Sequence, residues 1–347
     1  MHFAIRLLLA LSLWATPSFS AADTGLPRPD THAPIGVMGE HLHGAGELMF
    51  SYRYARMSMD DNYKGTHRQS ARDVVGTPAT PGNFMVVPTH MTMEMHMLGA
   101  MFAPHDAVTL MAMVPLVRLE MDHLTRPGGR FTTEASGLGD VRASALIRLF
   151  DTGAHKAHLN VGLSFPTGST SVRDQTPMGR QRLPYPMQLG SGTWDVLPGA
   201  TYKGHTGDLS WGAQALGTLR TGRNRHEYRL GDRVDLTAWT AYQWASWIST
   251  SARLAWGAWD DIHGSDRRLN PAVVPTADPD RREGRRLDWL LGINLAVPFG
   301  KAGNHRFAIE YGRPIYQRLD GPQLGTQWRL ILGWQSAFDW KLPGFGD

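Results

Sequence analysis

Met91, Met93, Met95 and Met97 recur at every second residue, with Thr92, Glu94 and His96 between them. Thioethers are soft donors suited to Cu(I), and a copper site here would draw on Met93, Met95, Met97, Met113, Met121 and His123. His41 and His43, nearer the start of the chain, offer further imidazole nitrogen. Methionine is equally a flexible apolar filler, as suited to lipid contact as to an adaptable solute path. The spacing of two is the period of a β-strand, so all four side chains share one face.

The alternate face carries Glu94 and His96, and the run after the Ala103 to Asp106 break adds Arg118 and Glu120. These polar residues are costly in lipid, which argues that they face a lumen and the methionines face lipid. Yet nearer the break the same face reads Leu98, Ala100, Phe102, Val108, Leu110 and Ala112, which suits lipid. A β-bulge near His96 or Met97 would exchange the faces and reconcile the two halves. Without one, the expectation is methionine outward.

Catalysis has little support in the residues. His263-Gly264-Ser265-Asp266 brings a hydroxyl near an imidazole, but it lies in a predicted loop and lacks the His-x-Ser-Asn order of a barrel phospholipase. Neither a zinc-protease helix motif nor a phosphate-binding glycine loop occurs. The expectation is that the protein is not an enzyme and holds no cofactor, copper excepted.

The elements that position these residues follow from the rest of the chain. His2 and Arg6 precede an apolar run from Leu7 to Trp14 and then small residues to Ala21, the pattern of a secretory signal peptide over residues 1–20. No later stretch approaches the roughly 18 to 20 apolar residues of a membrane-spanning helix. Cysteine is absent, so disulfides and thiolate metal sites are excluded. The formal charge of +4 comes from intermixed acidic and basic residues, which argues against a nucleic-acid partner.

Residues 21–46 are rich in proline and glycine and read as a flexible periplasmic leader. From Glu47 onward, apolar and polar residues alternate in about 12 strands, joined in turn by long polar loops and short turns. A regular alternation of loop length places all short turns at one rim and all long loops at the other. An exported chain without apolar helices can span a bilayer only as a closed barrel. The expected fold is therefore all-β: a single antiparallel transmembrane β-barrel over residues 47–338 with short periplasmic turns and long extracellular loops, followed by a tail at 339–347. Tyr54, Phe102, Phe165, Tyr202, Trp256, Phe299 and Tyr311 near strand ends suit the interfacial girdles.

On this parity Arg53, Asp140, Arg142, Arg148, Asp195, Arg220, Arg233, Asp235, Arg253, Asp288, Arg306, Glu310 and Arg329 face inward, because a charge on the lipid face near mid-membrane costs about 2 to 4 kcal/mol. The residues expected along a solute path are Arg53, Glu94, His96, Arg118, Glu120, Arg142, Arg148 and Arg253.

Gly137-Leu138-Gly139-Asp140-Val141, Leu163-Ser164-Phe165-Pro166-Thr167-Gly168 and Val297-Pro298-Phe299-Gly300 give the chain a resemblance to the outer-membrane family named for the MetA pathway of phenol degradation. The segment Leu330 to Phe338 likewise resembles the Phe-terminated insertion signal of outer-membrane barrels, although about nine residues follow it here. The resemblance implies a single-chain barrel that passes small, often apolar molecules. The expected function is passive passage of a small solute, apolar or aromatic, across the bacterial outer membrane, with membrane lipid and that solute as partners. The alternative is a copper-binding or structural surface barrel without transport.

Overall fold

The computed structural model describes residues 32–298 and 304–339. The predicted signal peptide, Phe299 and the tail from residue 340 lie outside them. Eleven strands close into one ring: β1 (Glu47–Gly65), β2 (Val86–His105), β3 (Val108–Thr125), β4 (Val141–Asp151), β5 (His155–Phe165), β6 (Asp195–Thr206), β7 (Leu209–Arg220), β8 (Arg233–Ala245), β9 (Ile248–Trp259), β10 (Gly284–Pro298) and β11 (Asn304–Asp339). Each pairs antiparallel with its neighbour in sequence, and β11 closes the ring on β1. β11 has two legs, one from Asn304 to Leu319 on β10 and one reaching Asp339 on β1, so the wall is crossed twelve times.

In two of the expected loops further strands pair with the ring itself. β1 runs on to Gly65 and pairs there with His67–Gln69, and Arg130–Leu138 pairs with the outer part of β3. Both strands stand at the long-loop end, where the wall outgrows the membrane. Strands of 18 to 20 residues, such as β1, β2 and β3, are about twice the ~9 to 11 residues that a tilted crossing requires.

The ring is inside-out relative to a soluble protein. Leu98, Leu110, Leu159, Val161, Leu236, Leu254, Leu291 and Ile309 are exposed on the outer face, whereas Ser51, Thr109, Asn160, Asp195, Gln214, Arg253, Asp288 and Glu310 are buried within. The alternation of two per strand sorts these sets automatically. Lipid takes the first set out of water, and hydrogen bonds and ion pairs hold most of the second. Val161→Arg, on the outer face of β5, is expected to destabilise the folded barrel by ~2 to 4 kcal/mol, measured by urea titration in lipid vesicles. The lumen-facing exchange Asn160→Ser has no such lipid penalty.

The leader is not free in the periplasm as expected. Residues 32–46 enter the ring from the short-turn end and fold back within it. At the entrance the backbone N–H of Gly46 donates to Ala103 O at 2.8 Å and that of Ala45 to Asp106 Oδ1 at 2.8 Å. Ala33, Ile35 and Val37 are almost fully buried. Proline and glycine content suggested mobility, but an extended segment with many unpaired backbone groups also suits a polar lumen able to pair them.

Candidate functional site: the lumen and its two plugs

The inner wall is chemically divided. On β1 to β3, Met49, Met91, Met97, Met101, Met113 and Met121 are buried inward, and Met59, Met93 and Met95 pack against the cluster that holds Met91 and Met121. The expectation of methionine outward is thus reversed. Register between β1 and β2 is unbroken from Leu48 opposite Phe102 to Asp60 opposite His90, so no bulge exchanges the faces near His96 or Met97.

Glu94, His96, Arg118 and Glu120 consequently stand on the outer face and not along the lumen. They avoid hydrocarbon because β2 and β3 extend beyond it: the apolar outer residues Leu98, Phe102 and Leu110 lie nearer the short turns, and Leu116, opposite His96, marks the upper edge of the belt. Tyr54 Oη donates to Glu94 Oε1 at 2.8 Å, Tyr52 Oη is 2.7 Å from His96 Nδ1, and Arg118 pairs with Glu134 at 3.5 Å and Glu120 at 3.7 Å. The cost assigned to these residues assumed strands no longer than the membrane is thick. The aromatic and ionic partners form a rim above the apolar belt.

Opposite the methionines the wall is ionic, and many of its charges stand in close pairs. Arg253 grips Glu310 through two hydrogen bonds of 2.7 Å, and Asp288 takes Arg286 at 3.1 Å and Arg329 at 2.9 Å. Arg233 is bidentate on Asp235 at 2.6 and 2.7 Å, and Arg220 pairs with Asp195. Arg142 lies among the like charges Arg220 and Arg233 as well as the acids Asp140 and Asp195, and Arg148 lines the cavity at the short-turn end.

The leader occupies the lumen between these walls. Arg53 Nε donates to Ile35 O at 3.1 Å, Arg306 Nη2 to Ala33 O at 2.5 Å, and Gln214 Nε2 to Met38 O at 2.9 Å. Gly39 O accepts from Asn160 Nδ2 at 2.9 Å and also meets His158 Nε2 at 2.9 Å. Gly36 N–H donates to Glu310 Oε2 at 3.1 Å, and a Cβ at Gly36 would lie 2.3 Å from that oxygen and 2.4 Å from Arg253 Nη2. Only glycine permits this approach. Two of the inward arginines, Arg53 and Arg306, therefore serve as donors to the leader, a role invisible in their spacing along the strands.

At the other rim, the loop of residues 166–194 turns into the ring. Leu183 and Met187 are buried against Met91, Leu119 and Met121. Arg182 pairs with Asp266 at 2.5 Å, and Tyr185 Oη accepts from Asp266 N at 3.0 Å, tying this loop to residues 260–283. Tyr228 packs edge-on to Tyr185 at 4.9 Å, and burial pushes its phenol up to about 12. The His263 to Asp266 segment is thus part of a loop clasp.

Between the leader and the short-turn end lies a cavity of about 900 Å³ lined by His32, Glu40, His41, His43, Lys203 and Arg148 among others. Glu40 is buried and accepts from Lys203 Nζ at 2.7 Å. Burial opposes its charge, but Lys203, His41 and His32 outweigh this and hold the carboxyl well below its usual range. Burial pushes His41 down to about 3 and lowers His32 as well. A smaller cavity of about 180 Å³ lies on the leader's far side, against Gly36, Arg233, Arg253 and Asp288.

The six residues expected to bind copper do not converge on one ion. Met113 and His123 are ten positions apart on β3, about 33 Å at a rise of ~3.3 Å per residue, far beyond the span of one coordination sphere. They form a wall, with buried His123 stacked on Phe131 at 4.6 Å.

No family model matches the chain, and no curated protein matches it. Among solved structures it is similar to an outer-membrane channel from Pseudomonas putida F1, at 14% identity over 88% of this chain and 100% of that one, with a TM-score of 0.60. A FadL homologue from Pseudomonas aeruginosa is 12% identical over 85% of this chain and 90% of that one, with a TM-score of 0.40. A mutant of the TodX monoaromatic hydrocarbon channel is 10% identical over 85% and 91%, with a TM-score of 0.43. The first likeness, the closed ring and the apolar outer face give this chain the fold of an outer-membrane β-barrel and its place in the bacterial outer membrane.

Proposed function

We propose that the protein is a passive channel for a small solute with an apolar or aromatic body, its lumen filled by the leader and narrowed at the other rim by the loop of residues 166–194 in the conformation described. The observation that carries this reading is the inward methionine wall. A pore for ions or sugars has no use for a column of thioethers along its lumen, whereas an apolar solute needs a surface that gives up its own shape easily. The opposing wall supports the same reading, because Arg220, Arg233, Arg253, Arg286 and Arg329 are matched by carboxylates and Arg53 and Arg306 by leader carbonyls, which leaves less free charge to select an anion. The resemblance of the short motifs to the phenol-degradation family would imply the same solute class, though those motifs bear on the fold more than on the solute. The solute named for the TodX channel, a monoaromatic hydrocarbon, is an apt first probe.

Flux of toluene and of a neutral sugar into proteoliposomes tests this reading. The barrel freed of its leader is expected to pass toluene faster than protein-free vesicles do. A variant carrying Met93→Asp, Met95→Asp and Met97→Asp is expected to lose most of that gain while keeping its ionic conductance. Equal toluene flux through both would overturn the apolar path. A leader-free barrel that conducts no ions and passes no solute would instead be a structural or metal-binding surface barrel.

A further inference from the structure

His41 and His43 are two apart on an extended stretch of the leader, so their rings project to the same side. The stretch is pinned by the His43 N–H, which donates to Thr109 Oγ1 at 2.9 Å, and by Leu42, which packs against the cluster of Met49, Met101 and Leu146. The two Nε2 atoms face each other 3.1 Å apart. Behind each ring stands a carboxylate: Glu40 Oε1 is 2.7 Å from His41 Nδ1, and Glu47 Oε2 is 3.2 Å from His43 Nδ1.

Two neutral rings bring two N–H protons to three contacts, so this arrangement is one cation short. A neutral imidazole carries one N–H, and a carboxylate facing Nδ1 takes it. Both rings then hold their protons toward Glu40 and Glu47, leaving two Nε2 lone pairs pointed at each other. That contact is repulsive unless a cation lies between the nitrogens. Two nitrogens each bound at ~2.0 to 2.1 Å to one metal ion stand ~2.9 to 3.4 Å apart at the usual coordination angles. A histidine whose far nitrogen is held by a carboxylate is also the common supporting pattern of metal-ligating imidazoles, because the carboxylate fixes the tautomer and raises the basicity of the ligand nitrogen.

We propose that His41 and His43 form a site for a divalent transition-metal ion, copper(II) before zinc, with Glu40 and Glu47 as positioning residues and water from the cavity in the remaining positions. Imidazole suits both ions, and copper(II) binds such donors more tightly. The site belongs to the leader and its cavity. It is separate from the methionine wall and does not depend on the transport reading.

The test is copper(II) titration of the refolded full mature barrel in detergent, followed by calorimetry and by electron paramagnetic resonance. Wild type is expected to bind one ion with superhyperfine splitting from two imidazole nitrogens. His41→Ala and His43→Ala should each weaken binding by at least about 100-fold, and Glu47→Gln, which leaves both ligands in place, by about 10- to 100-fold. The variant with Met93, Met95, Met97 and Met113 changed to Leu should bind as wild type does. A wild-type spectrum without nitrogen splitting, or unchanged affinity in the His41→Ala, His43→Ala double variant, would overturn the proposal. Absence of copper binding by wild type would assign the shared cation to a proton on one ring and overturn it equally.

Discussion

Removal of residues 21–45 from the mature chain is expected to raise ionic conductance several-fold in planar bilayers, with the barrel still folded. The leader is the main obstruction between the larger cavity at the short-turn end and the smaller one against Arg233 and Asp288. Its carbonyls at Ala33, Ile35, Met38 and Gly39 are the acceptors that fill the lumen's donors, so its departure leaves Arg53, Arg306, Asn160 and Gln214 to water. Water enters a polar lumen at little cost, which is why the ring should survive. Gly36→Val is the milder form of the same experiment. Its side chain cannot fit between Glu310 and Arg253, so the leader tip should unseat and conductance should rise in the same direction. Conductance unchanged by both would mean that the leader does not gate the path.

Glu310→Ala is expected to destabilise the barrel by about 3 to 5 kcal/mol, the usual consequence of leaving one member of a buried ion pair uncompensated. Arg253 is only 6% exposed and Glu310 1%, so neither charge can turn to bulk water while the leader is seated. The variant also deprives the Gly36 N–H of its acceptor, so it should conduct more as well as unfold at lower urea. Arg253→Met combined with Glu310→Leu removes both charges and is expected to recover most of the stability. It should not restore the leader's seat. Urea titration in vesicles separates the two effects, and a Glu310→Ala barrel as stable as wild type would show that water already reaches Arg253.

The alternation of two along Leu159, Val161 and Leu163, or Leu291, Ile293 and Leu295, is a local property of the chain and made the barrel legible. So did the inward parity of Arg53, Arg142, Arg148 and Arg253, because lipid excludes their charges from the other face. The Met91 to Met97 stretch was legible as a single face but not in its direction. Its alternate residues combine Leu98 and Phe102 with Glu94 and His96, and only the height of each residue relative to the membrane resolves that mixture.

Strand pairing and height are tertiary facts. Once β2 is seen to extend beyond the apolar belt, Tyr52 and Tyr54 explain the outer polar residues and the methionines turn inward. The leader was the larger omission. Residues 32–46 carry no periodicity, since an extended segment held by side-chain donors on many different strands has no repeating pattern to display. Its sequence determined the pair His41 and His43 and the small Gly36, while the carboxylate behind each ring and the arginines around the tip come together only when the ring closes about it.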